Sequence, residues 1–189
     1  MNEIFYFFEN ITSQTRVFFL VGGLFLFLTL EFGIPFFKSP YDKLNHAKIN
    51  LTFTLITLII NLFGAIGILK SVDLVKTYNL GLLNVVETPL WLYVLIGIAL
   101  MDFIGAWFIH WIQHNVKWMW KFHIIHHSDP NVDVTSALRH HPVENVFRLC
   151  FTILAILISG ANFGLVMIYQ AVSVFFAHFS HANIRFPEK

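Results

Sequence analysis

The chain has 189 residues, enough for one domain or two small ones. Its residues are 57% hydrophobic and only 12% charged, against roughly 45–50% and 25% in soluble domains, which excludes an ordinary soluble globule. Twelve basic against eleven acidic residues leave a net charge of +1, which sets nucleic acid aside as a partner. The lone cysteine, Cys150, excludes a disulfide framework and cysteine-rich zinc sites.

The first apolar run, Val17 to Phe37, holds one acid, Glu31, and matches the roughly 20 residues that a helix needs to cross a bilayer core. Two acids and no basic residue before Arg16, with no small-x-small site after the run, argue against a cleaved signal peptide. The second run, Leu51 to Leu69, carries no charge; the third, Leu90 to about His114, carries only Asp102 before its terminal histidines. The last apolar stretch, Val146 to Ala177, is interrupted by the turn formers Ser159-Gly160-Ala161-Asn162, which predict a helical hairpin with halves of about 12 and 15 residues. The expectation is an all-α, polytopic membrane protein. It has about three spanning helices plus the hairpin, forms one domain over residues 1–189, and shows no internal repeat. Lys38, Lys43, Lys48, Lys117, Lys121 and Arg139 gather on one side, against Arg16, Lys70 and Lys76 on the other. The positive-inside rule puts the first set, with Arg185 and Lys189, in the cytoplasm.

Nine of the ten histidines lie beyond residue 100, and the topology gathers them on that cytoplasmic side. His110 and His114, in HWIQH, share a helical face at i, i+4. Asp102 and Ala106 continue the row, so Asp102 is a candidate acceptor for the other ring nitrogen of a histidine. Taken alone, the pair is equally an interfacial feature among Trp107, Trp111 and Trp118. His123, His126 and His127, in HIIHH, add a second cluster at i, i+3, i+4 only nine residues on, and five converging imidazoles point to metal. Imidazole suits iron, zinc, copper and nickel, and five or more ligands exceed one tetrahedral zinc, which favours two metals. Asp129-Pro130-Asn131 ends the histidine helix. Arg139 and Glu144 are candidate supports for the ligands. Glu144 follows Pro142 in a helical first turn, where the dipole favours a carboxylate and where Arg139 or Arg148 is an alternative partner. His178 and His181, in HFSHANIRFP, return to the same face and can complete the ligand set.

HWIQH, HIIHH, RHHPVE and HANIRFP, in this order, resemble the membrane-bound fatty acid hydroxylase and sterol desaturase superfamily over roughly residues 17 to 189, and KINLTF is also similar. The resemblance implies a di-iron centre held by histidines, which uses O₂ to hydroxylate or desaturate a fatty acyl or sterol-like C–H bond. By motif match the ligands are His110, His114, His123, His126, His127 and His181. His141 matches a residue whose role differs between subfamilies, His178 is a further candidate, and His140, His141 or His178 can substitute where the set lacks ligands. Zinc is the expected substitute in isolated protein, since imidazole serves both metals. No GxGxxG fingerprint occurs, so reducing equivalents come from outside; the family implies cytochrome b5, ferredoxin or a reductase. The family's further HxxHH cluster has no counterpart before Lys189. The expectation is thus of a shortened member, read as an oxygenase or alternatively as a non-catalytic protein that binds one metal or none and acts as a membrane or partner-binding protein. A haem carrier needs isolated facing histidine pairs instead of HxxHH clusters.

Overall fold

The computed structural model describes residues 1–38 and 40–186, and within them the chain is helical. A short helix α1 (Asn2–Glu9) precedes α2 (Ser13–Gly33) and the long α3 (Lys43–Tyr78). A 3-10 turn at Leu82–Asn84 leads to α4 (Leu90–Asp102), which runs through a π-helical segment, Phe103–Phe108, into α5 (Ile109–Asn115). Then come α6 (Lys117–His127), a 3-10 turn at Val134–Leu138, α7 (Pro142–Ser159) and α8 (Phe163–His181). An isolated antiparallel bridge, Pro35 to Ile184, ties the end of α2 to the chain after α8.

Local chemistry sets these boundaries. The Asp42 carboxylate accepts the amides of Leu44 and Asn45 to start α3, and Asn79 ends it in the left-handed region. His141 caps α7 through its ring, with Pro142 at the first helical position. Gly160, left-handed at φ 79°, stops α7, and the Asn162 side chain opens α8. Because that cap lies ahead of Glu144, Asn145 and Arg148, α7 is 18 residues long and α8 is 19, longer than the apolar halves alone. Each reaches about 27 Å, enough to cross a membrane core.

Five stretches are long and apolar enough to cross: Ser13–Gly33, Lys43–Asn84, Leu90–Asn115, Pro142–Ser159 and Phe163–His181. Both arms of the hairpin are therefore long and apolar enough to cross. The 36-residue α3 extends about 54 Å, more than a bilayer core, so it tilts or projects beyond it. Buried side chains concentrate on α4, α7 and α8, where Met101, Ala155, Ile156, Leu165 and Val166 form the packed centre. On α3, by contrast, Leu62 and Phe63 are each 70% exposed, which fits a surface facing lipid. Gly64 and Gly67 of α3 face Leu149 and Ile153 of α7, and Gly97 of α4 faces Leu165 of α8. Small residues at these crossings let the backbones approach closely.

The hairpin turn meets the loop after α3 backbone to backbone. At Gly81, with φ 93°, a Cβ would overlap the backbone nitrogen and Cα of Gly160. Gly81→Ala is therefore expected to cost about 2–3 kcal/mol, from left-handed strain and displacement of the turn. The check is the apparent melting temperature of the variant in detergent beside that of the parent; an unchanged value would show that the turn yields freely.

Candidate metal centre

The π-helical segment decides which way α5 faces. One wide turn shifts the helical phase, so the row from Asp102 to His110 is broken. The electrostatic neighbours of Asp102 are Arg148 and Tyr169, and it makes no hydrogen bond to a histidine. The phase shift and the extended Val116, at φ −96° and ψ 106°, turn α5 and α6 to face each other.

Four imidazoles meet across that turn. Donor nitrogens of His110, His114, His123 and His127 all lie within 4.8 Å of one another, the one such histidine or carboxylate group of three or more among the described residues. The Nε2 of His114 is 3.0 Å from that of His110 and 3.1 Å from that of His127, whose Nε2 is in turn 3.0 Å from that of His123. A ring nitrogen offers either one N–H or one lone pair, so neither His114 nor His127 can satisfy two such neighbours by hydrogen bonding. Four lone pairs converging on a cation satisfy all of them. Metal–nitrogen bonds of about 2.0–2.1 Å place tetrahedral neighbours roughly 3.3–3.4 Å apart, so a small relaxation of the rings fits a metal ion here. Trp120 covers one side, 5.0 Å from His114 and 5.8 Å from His127 between ring centres.

His126, one residue before His127, points to a different neighbourhood. Its Nε2 lies 3.3 Å from the Nε2 of His181, whose Nδ1–H donates to the Ala177 carbonyl at 2.8 Å. His140 stacks on His126, with ring centres 4.7 Å apart and planes 13° apart. The carboxylate of Glu144 is fully buried, and its Oε1 accepts from Nδ1 of both His123 (2.9 Å) and His140 (3.0 Å). Burial, reinforced by His140 and His181, pushes the His126 imidazole down to about 3. Burial also lowers His127 and His140. These rings are thus neutral near pH 7, with lone pairs available.

The remaining sequence candidates sit elsewhere. The Nδ1 of His141 accepts the Val143 amide as the α7 cap, and its ring packs 5.0 Å from Phe122. His178 is buried between α2 and α8, beside Gly23 and Phe27. Arg139 holds the end of α6 by donating to the Ile125 carbonyl, the Asn50 side chain and Ser128.

Residues outside the motifs anchor the loop after α6. The Nε2 of His46 lies 2.8 Å from Asp129, its Nδ1 lies 3.1 Å from Asp133, and Tyr41 donates to Asp133 at 2.7 Å. Burial pushes the Asp129 carboxyl up, but bonds from Ser136, His46 and the Asn131 amide outweigh it and hold the group below its ordinary value. Burial, then the bond to Asp133, pushes the Tyr41 phenol up. His46 and Trp120 are components that spacing did not single out. For His140, the signal was its place beside His141, four residues before Glu144.

A group of histidines at one end of helices able to cross a membrane defines the class, and comparison with known proteins agrees. Residues 94–189 match the family described as fatty acid hydroxylase, and the chain belongs to that family. Its members are lipid hydroxylases, oxidoreductases that hold two irons through histidine motifs. The chain is also similar to the ornithine lipid hydroxylase OlsE of Rhizobium tropici, 25% identical over 98 residues. That stretch is 52% of this chain and 29% of the relative's length. No solved structure matches the chain.

Proposed function

We propose that this protein is a membrane oxygenase that hydroxylates or desaturates a C–H bond of a lipid, fatty acyl or sterol-like, at the expense of O₂. The observation that carries this reading is the convergence of four ring nitrogens at the end of α5 and α6, in a member of the fatty acid hydroxylase family. His110, His114, His123 and His127 would hold one iron, and His126 with His181 would contribute to a second. When bound, the irons supply the activation of O₂. The chain's own residues orient the ligands through Glu144 and Ala177, cover one side of the group with Trp120, and leave apolar helices through which a lipid can arrive. His141 and His178, the other motif candidates, serve as a helix cap and as a buried packing residue. The 189 residues are read as one membrane-embedded unit. The positive-inside rule supports a cytoplasmic position for the histidine end, where an electron donor such as cytochrome b5, ferredoxin or a reductase has access. The similarity to an ornithine lipid hydroxylase supports a membrane lipid as substrate.

The test is metal analysis of detergent-purified protein, joined to mass spectrometry of lipids from cells grown under ¹⁸O₂. The comparison is with a variant in which His123, His126 and His127 are alanine. Iron and labelled or newly desaturated lipid in the parent, both lost in the variant, are expected. Lipid oxidation that survives the triple substitution would overturn the reading. One metal per chain without lipid oxidation would favour the alternative, a metal-binding membrane protein without turnover, which the one convergent four-nitrogen group among the described residues supports.

A further inference from the structure

The two histidine groups are joined by one carboxylate. Glu144 is fully buried, as is His123. Its Oε1 receives both Nδ1 atoms, of His123 at 2.9 Å and of His140 at 3.0 Å, while Oε2 has no hydrogen-bond partner. A carboxylate only accepts, so each Nδ1 facing it carries the hydrogen and each Nε2 carries the lone pair. For His123 that lone pair faces the four-histidine group, 3.0 Å from the Nε2 of His127. For His140 the same bond fixes the plane of a ring that lies flat on His126. His126 in turn turns its Nε2 toward His181.

We propose that Glu144 is a positioning residue shared by both groups: it sets the tautomer of His123 directly and the orientation of His126 through His140, which acts as a stacked spacer. This rests on the reading of the histidines as metal ligands. The physical reason for one shared carboxylate is charge. A buried anion bonded to Nδ1–H makes the opposite nitrogen a stronger donor toward a cation, and one buried carboxylate serves two rings where two would repel each other. His140 is outside the ligand set that the sequence motifs suggest, and its stacked position gives it a role that spacing alone does not.

The experiment titrates the metal-free, detergent-purified full chain with Co²⁺, read by its visible absorption, and records histidine tautomers by ¹⁵N NMR. Glu144→Gln keeps a carbonyl oxygen that can accept from both rings but removes the charge; Glu144→Ala removes the acceptor. His140→Phe keeps the flat ring, and His140→Ala removes it. The parent is expected to bind Co²⁺ and to show His123 and His140 as Nδ1–H tautomers. Affinity should fall about 10–100-fold in Glu144→Ala and by an intermediate factor in Glu144→Gln. His140→Phe should retain parental affinity, because Glu144 still holds His123. His126 resonances should shift in His140→Ala and also in His140→Phe, which keeps a flat ring but cannot bond Glu144; parental His126 resonances in both would overturn the spacer role. Parental affinity in both Glu144 variants, or an Nε2–H tautomer at His123, would overturn the proposal while leaving the ligand reading intact. A parent that binds no Co²⁺ would overturn both. Should Glu144→Ala fail to fold, the near-isosteric Glu144→Gln decides the matter.

Discussion

Alanine at His123 is expected to weaken metal binding to the four-histidine group by at least about 100-fold, the largest single effect on the site. His123 is fully buried and contributes twice, as a donor 3.0 Å from the Nε2 of His127 and as a partner of Glu144. Its removal takes away one of four nitrogens and strips the buried carboxylate of half its hydrogen bonds. Removing one hydrogen-bond donor from a buried carboxylate costs roughly 1.5–3 kcal/mol, and the surviving bond from His140 puts the loss toward the lower end. Co²⁺ titration and thermal unfolding in detergent measure the two effects. The matched control is His141→Asn. Asparagine also caps helices, so the Val143 amide keeps an acceptor and α7 keeps its start. Parental metal affinity is expected there; a large loss would make His141 a ligand and displace its capping role.

The contrast between these two histidines shows what the sequence carried. The i, i+4 pairs His110–His114 and His123–His127 were legible because a helix leaves such residues on one face, and the structure brings both pairs together. His126 was read with the same face. It lies about 100° around the helix from His127, and the return of α8 gives it a separate partner in His181. Asp102 fitted a regular α-helical row, which the π-helical segment breaks. The Nδ1 of His123 instead meets Glu144, whose local pattern also suited pairing with Arg139 or Arg148. The apolar runs marked the spans, but hydropathy ended α7 too late at its start because Glu144, Asn145 and Arg148 are polar. The cap at His141 sets that boundary. His46 meets Asp129 across 83 residues, a contact that only the folded chain creates.

Glu31 is the clearest case of a residue whose meaning lies outside its own helix. In the sequence it is a lone acid in an apolar run; in the structure it is 1% exposed. Its Oε1 accepts the backbone amides of Val134 (2.7 Å) and Asn183 (2.8 Å), joining α2 to the turn after α6 and to the chain after α8. Around this point Asn183 also bonds Phe37 through its side chain, and the Arg185 amide donates to the Ile34 carbonyl. Glu31→Ala is expected to orphan two buried N–H groups at about 1–3 kcal/mol each, a total of roughly 3–4 kcal/mol after relaxation. Because His181 is two residues before Asn183, the same change should loosen its approach to His126, while the four-histidine group, built from α5 and α6, keeps its metal. Glu31→Gln retains an oxygen acceptor and should cost less than half as much. Thermal unfolding of the two variants, with Co²⁺ affinity measured beside it, separates these effects. Equal destabilisation by alanine and glutamine would show that the charge, not the acceptor oxygen, holds the three segments together. A loss of four-histidine metal binding in Glu31→Ala would show that the group depends on the loop as well as on its own two helices.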